Sequence, residues 1–157
     1  MKQISVGLFG FGKTGKLVAN EFIKDDRFEL KWVVKRTRAF SEKYASRLLG
    51  HEFNEGRIHC VAKLGARFFR KNPVDVLVDF SSAQGYRSYA AAADEGIRII
   101  TAISKYEPED LAALKKMAEK TAVLVSPNIT LGINFLLVAS QVLQKIAPHA
   151  DIEIVEE

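Results

Sequence analysis

Cys60 has no second cysteine to pair with anywhere in the 157 residues, so no disulfide can form within the chain. A lone thiol suits a reducing compartment, and a cytoplasmic location is the expectation. Long apolar runs are missing too. The most apolar stretch, residues 131–143, is broken by Asn134, Ser140 and Gln141 and is too short to span a bilayer. The N-terminus carries one lysine ahead of a short apolar run and has no small-residue cleavage site, which argues against a signal peptide. Neither sign of charge dominates: 23 Lys and Arg face 19 Asp and Glu, for a net charge of +4. The basic residues are scattered, densest at Lys31, Lys35, Arg36 and Arg38, and no aromatic-basic motif accompanies them. Nucleic acid is therefore not an expected partner. His51, His59 and Cys60 lack metal-ligand spacing, so no metal is expected. A G-x-S-x-G element and paired carboxylates are absent as well, as are repeats and low-complexity linkers.

What is present is an alternation of short apolar runs with longer helical patterns. Strands are expected at 4–9, 30–35, 57–61, 74–79, 98–100 and 123–126. Helices are expected at 13–24, 41–49, 64–69, 84–95, 107–120 and 131–147. In the first helix Leu17, Val18 and Phe22 should face inward. Ser41 should cap the second helix, Gly96 should end the fourth, and Pro108 fits the first turn of the fifth. Strands separated by helices imply right-handed crossovers and a doubly wound parallel α/β sheet. A last strand at 151–155 alternates apolar and acidic residues, whereas the earlier strands are apolar on both faces. It reads as the start of a second, one-sided sheet. The expected domains are 1–129 and 130–157, the latter a hinge, a long helix and the first strand of a truncated substrate or oligomerisation domain.

The segment Gly10-Phe11-Gly12-Lys13-Thr14-Gly15 is G-x-G-x-x-G, placed directly after a strand and opening a helix, the Rossmann context for a dinucleotide. Gly10 would make the tight turn, Gly12 would let a pyrophosphate approach, and Gly15 would let helix and strand pack closely. The helix N-terminus would hold the phosphates, with Lys13 and Thr14 adding a charge and a hydroxyl. An NAD-type domain places an acid about 20 residues further on. Here that position reads Val33-Val34-Lys35-Arg36-Thr37-Arg38, with no acid and three cations. Guanidinium and ammonium groups suit a 2′-phosphate, so NADPH is the expected cofactor, with NADH possible.

Two later segments carry a family resemblance. Val78-Asp79-Phe80-Ser81-Ser82-Ala83-Gln84-Gly85 resembles the V-D-F-[ST] turn of dihydrodipicolinate reductases. Ser126-Pro127-Asn128-Ile129-Thr130-Leu131-Gly132-Ile133-Asn134 resembles that family's A-x-N-[FM]-S-x-G-[VI] segment, and Asp151-Ile152-Glu153-Ile154-Val155-Glu156 its D-I-E-[IL]-x-E strand. The resemblance implies an NAD(P)H-dependent reductase of lysine and diaminopimelate biosynthesis, passing a hydride to a small cyclic dicarboxylate. It implies that Gly10, Phe11, Gly12, Lys13 and Thr14 contact the pyrophosphate, and Lys35 and Arg36 the adenosine ribose or its phosphate. Phe80, Ser81 and Ser82 would border the cofactor. Thr101, Ala102 and Ile103, with Ser126, Pro127, Asn128 and Ile129, would present backbone groups to the nicotinamide. Homo-oligomerisation through the C-terminal region is implied for the intact enzyme.

The chain also departs from the family. The G-T-T-G loop reads Thr101-Ala102-Ile103-Ser104, and the loop after the first strand is one residue shorter than in many members. The histidine pair and lysine that serve as proton donor and carboxylate anchors match nothing up to Glu157, so catalytic residues are expected beyond it, and the 157 residues alone are not expected to be competent. A related amino- or imino-acid dehydrogenase, or a non-catalytic NADP(H)-binding module, remain the alternatives. Asp79 could be a turn cap, and Trp32 lies near enough to the site in sequence to be a candidate fluorescence probe.

Overall fold

The computed structural model describes residues 2–153, which divide into two compact units, Met1–Pro127 and Asn128–Glu157. The first unit holds a parallel six-stranded sheet in the order β3-β2-β1-β4-β5-β6. Its strands are β1 (Ile4–Phe9), β2 (Phe28–Lys35), β3 (Arg57–Cys60), β4 (Val76–Asp79), β5 (Arg98–Thr101) and β6 (Val123–Val125). Its helices are α1 (Lys13–Lys24), α2 (Ala45–Leu48), α3 (Ala66–Lys71), α4 (Tyr86–Asp94) and α5 (Pro108–Ala118). The strand order reverses between β1 and β4, the point at which doubly wound sheets open a crevice.

The inner strands split their side chains between two cores. Val6, Leu8, Leu30, Val33, Ile58 and Val78 pack on the side of α1 and α2. Phe9, Trp32, Val34, Leu77 and Ile99 pack on the other side with Phe69, Tyr89, Ala92 and Leu114 of α3, α4 and α5. Burial on both faces explains why the strands read as continuous apolar runs. The register slips between Val6 and Gly7, so that Val6 pairs with Leu30 and Gly7 with Trp32. Lys31 is left out of the pairing and points to solvent. The Trp32 ring fills the space beside Gly7, where a Cβ would lie 2.2 Å from it.

Several expected details take a different form. Leu17 is 65% exposed. The inward stripe of α1 runs instead through Gly15, Val18, Ala19, Phe22 and Ile23, a 3.6-residue spacing on which Leu17 falls to the outside. Ser41 caps no helix: α2 starts at Ala45, after Tyr44, and no protein partner reaches the buried Ser41 Oγ. Phe40 and Glu42 instead adopt left-handed φ values of 63° and 69°, turning the chain alongside β3. There Glu42 donates to Ile58 O, Ile58 to Lys43 O, Ala45 to Gly56 O and Ser46 to Glu55 O. This segment meets the outer edge of β3 at Ile58.

Other end signals appear as expected from local chemistry. Gly96 has φ +71°, and Ile97 N–H reaches back to Ala92 O at 3.1 Å, ending α4. Pro108 opens α5 behind a reciprocal Glu107–Asp110 capping box. The second unit contains α6 (Leu131–Ile146), none of whose residues is buried. Asn134 Nδ2 donates to the carbonyls of Asn128 and Thr130, both at 3.0 Å, fastening its first turn. Of the strand expected at 151–155, residues 151–153 have no regular structure, and the remainder lies outside the described residues. No helix among the described residues is long and apolar enough to cross a membrane.

Candidate functional site

At the carboxyl end of β1 the chain must turn sharply beneath β4. Gly10 does so at φ +95°, and a Cβ there would stand 2.5 Å from Phe80 O. Gly15, one turn into α1, has its missing Cβ 2.1 Å from Gly10 O, so the helix rests directly on the loop. Gly12 differs from both. It precedes α1 with nothing within 4 Å of its Cβ position, leaving the backbone open to an approaching group. The first N–H groups of α1 have no intrahelical partner, and their dipoles favour an anion.

A cleft of about 710 Å³ opens here. Gly10, Phe11 and Gly12 line it from the loop, Lys35, Arg36 and Thr37 from the end of β2, and Phe80, Ser81, Ser82 and Gly85 from the turn after β4. Among the described residues its lining contains no carboxylate. Eight of the residues singled out in the sequence therefore meet at one place: Gly10, Phe11, Gly12, Lys35, Arg36, Phe80, Ser81 and Ser82. Lys13, Thr14 and Gly15 stand just behind, in the first turn of α1. Thr101 ends β5, Ala102 and Ile103 follow it, and Ser126 and Pro127 follow β6, none of them lining the cleft, and Asn128 and Ile129 belong to the second unit.

The dense basic group divides. Lys31 pairs with Glu29 at 2.6 Å and borders a separate open recess with Lys2, Gln3 and Asp75. Lys35 lines the cleft and holds its Nζ 5.0 Å from the centre of the Phe40 ring. The Lys43 Nζ lies over the same ring at 5.7 Å, so Phe40 gathers two cations beside the end of β2. Trp32 is not in the cleft. It is buried behind Phe9, edge-on at 6.0 Å, with Nε1–H donating to Asn72 O at 3.0 Å.

A buried polar chain beneath the cleft is invisible in the spacing of the sequence. Asp79, fully buried at the end of β4, accepts from Ser81 N–H at 2.8 Å, Ser81 Oγ at 2.5 Å and Tyr89 Oη at 2.8 Å. It thus caps the turn that presents Ser81. Nearby, Tyr106 Oη meets Thr101 Oγ1 at 2.5 Å. Burial pushes the Asp79 carboxyl above its usual range despite three donors, and it pushes the Tyr89 phenol far up. Between the ordinary carboxyl pKa, about 3.9, and this raised value the native state keeps a proton that the unfolded chain has lost. Stability attributable to Asp79 is therefore full at lower pH and declines as pH rises through that window. Asp79→Asn should abolish the decline. In urea unfolding from pH 4 upward, the penalty of the substitution should shrink as pH rises; a constant penalty would contradict the assignment.

The fold and cleft can be set beside known proteins. A family model described as "Dihydrodipicolinate reductase, N-terminus" matches residues 4–129. The chain belongs to this family. A 4-hydroxy-tetrahydrodipicolinate reductase of Archaeoglobus fulgidus is 33% identical over 105 residues, covering 64% of this chain and 41% of that protein. One from Buchnera aphidicola subsp. Acyrthosiphon pisum is 23% identical over 163 residues, covering 99% of this chain and 57% of its own. The chain thus spans about half the length, or less, of these curated relatives. Among solved structures, the dipicolinate-bound dihydrodipicolinate reductase of Paenisporosarcina sp. TG-14 superposes with a TM-score of 0.69 at 17% identity, covering 91% of this chain and 54% of that one. The scyllo-inositol dehydrogenase of Lactobacillus casei with bound NAD(H) gives 0.64 at 14% identity, over 96% and 43%. Dihydrodipicolinate reductases therefore share both sequence and fold with this chain, and the inositol enzyme shares the fold.

Proposed function

We propose that the cleft binds a nicotinamide dinucleotide, NADPH in preference to NADH, and that the chain is the cofactor-binding part of a reductase acting on a cyclic dicarboxylate. The observation that carries the reading is one cleft joining an open glycine backbone to Lys35 and Arg36, with no carboxylate in its lining among the described residues. A ribose 2′-hydroxyl would ask for an acid at the end of β2, whereas a 2′-phosphate asks for cations. Gly12 admits the pyrophosphate to the backbone, and the first turn of α1 meets its charge, with Lys13 and Thr14 at hand. Ser81, held by Asp79, and Phe80 form the wall on the β4 side. The loops after β5 and β6, with Thr101, Ala102 and Ile103 and residues 126–129, take the nicotinamide half. When bound, that ring supplies the hydride; the protein supplies position and electrostatics. Residues from about 130 onward begin the substrate and oligomerisation domain. The names of the curated relatives support the reductase reading and its substrate class.

Titration with each cofactor tests the proposal. NADPH should bind more tightly than NADH. Removing both charges in Lys35→Ala/Arg36→Ala should weaken NADPH by about 2 kcal/mol, roughly thirtyfold, and leave NADH within about threefold. Tighter NADH binding, or equal losses for the two cofactors, would overturn the assignment of Lys35 and Arg36.

A further inference from the structure

The loop between β5 and α5 is tied at both ends. On its near side the ladder continues past β5, with Ala102 N–H donating to Asp79 O at 3.0 Å and Ser126 N–H to Thr101 O at 2.9 Å. On its far side the Glu107–Asp110 capping box fixes the start of α5. Between them residues 102–105 project from the carboxyl edge of the sheet, partly or fully exposed. What joins the two ends is a side-chain bond, Thr101 Oγ1 to Tyr106 Oη, at 2.5 Å. Thr101 is fully buried, and Tyr106 packs partly buried against the core.

The Thr101 hydroxyl is committed to the Tyr106 hydroxyl, whichever of the two donates, and so buttresses the loop. This hydroxyl stands at the first position of the segment that reads G-T-T-G in the family, where glycine has no side chain to tether.

We propose that Tyr106, acting through Thr101, is a positioning residue that holds the 102–105 loop where the nicotinamide half of the cofactor lies. This rests on the dinucleotide reading of the cleft. In a doubly wound sheet the dinucleotide crosses the switch point. With the glycine loop and β2 on its adenosine side, its other half reaches β4 and β5. The tether therefore bears on one half of the cofactor and leaves the other alone.

That asymmetry supplies the test. The 157-residue protein is titrated with NADPH and with adenosine 2′,5′-bisphosphate, which keeps the adenosine half and lacks the nicotinamide. In Tyr106→Phe and in Thr101→Val, NADPH should bind about five- to tenfold more weakly, with the bisphosphate unchanged within about twofold. The double variant should lose no more than either single one, because both remove the same bond. Thr101→Ser, which keeps the hydroxyl, should restore NADPH affinity. Equal losses for the two ligands, or none for NADPH, would overturn the tether while leaving the cleft assignment standing. Wild-type protein that binds neither ligand would instead remove the dinucleotide reading and the tether with it. A thermal melt of each variant separates a loosened loop from a lost fold.

Discussion

Gly15→Ala should destroy the candidate site and destabilise the first unit by about 3 kcal/mol, the upper range for forced overpacking. The added methyl would sit 2.1 Å from the Gly10 carbonyl oxygen and 2.8 Å from its carbon. Both are backbone atoms, so no rotamer change relieves the clash. Either α1 lifts off the loop or the Gly10 turn moves, and Gly10 is itself pressed against Phe80 and Ser81. On the proposed dinucleotide reading, NADPH affinity should fall by at least about a hundredfold, since near-ångström misplacement of a phosphate cradle is that expensive. Gly12→Ala is the informative companion. Its φ of −84° suits any residue, and its Cβ meets nothing within 4 Å, so the protein should melt normally. The methyl would nevertheless stand on the face a pyrophosphate needs, and NADPH should bind about tenfold more weakly, a loss of about 1.4 kcal/mol. Binding titrations and melting curves on the two variants check the pair. A Gly15→Ala protein with unaltered melting would refute the packing argument.

Trp32→Ala should be the most destabilising single change on the opposite face of the sheet. The indole meets Phe9, Phe68 and Phe69 edge-on, its N–H satisfies the Asn72 carbonyl, and its ring occupies the niche left by Gly7. Truncation leaves a large void and an orphaned carbonyl, at about 3–5 kcal/mol. For a chain of this size that corresponds to a melting temperature lower by about 10 °C. Circular dichroism is the appropriate readout, because Trp32 is the single tryptophan. A shift of under about 2 °C would mean that the pocket collapses to compensate. Trp32→Phe, which refills most of the volume, should lie much closer to wild type.

Backbone-driven features were legible in the sequence. Gly10 and Gly15 are there because other backbone occupies the place of a side chain, a requirement that leaves few residue choices. The alternation of apolar runs and helices followed from burial on both faces, and the parallel sheet followed from the alternation. Features set by tertiary geometry were not legible. Leu17 looks inward in a list of apolar residues, yet the stripe through Gly15 and Ala19, which lets α1 lie close to the sheet, turns it to solvent. Ser41 has the chemistry of a helix cap but sits where Phe40 and Glu42 reverse the chain to pair with β3. The run of cations around Lys35 appears continuous until the register slip at Gly7 directs Lys31 away. The pairs Asp79–Tyr89 and Thr101–Tyr106 join the ends of two strands to a helix and a loop, and no local pattern announces them. The nearest signal was Gly85, whose missing Cβ would lie 2.2 Å from Ser81 Oγ.

The strap formed by residues 42–46 along β3 bears on what happens when many copies of the chain are crowded together. An open strand edge is a row of unpaired amide and carbonyl groups, and another chain can extend the sheet from it. Here the chain's own backbone already meets Ile58 in the middle of β3, while β6 at the other end is only three residues long. A foreign strand would find the first edge partly taken and only a few ladder bonds on the second. Crowding therefore favours contacts between side chains over propagation of the backbone ladder.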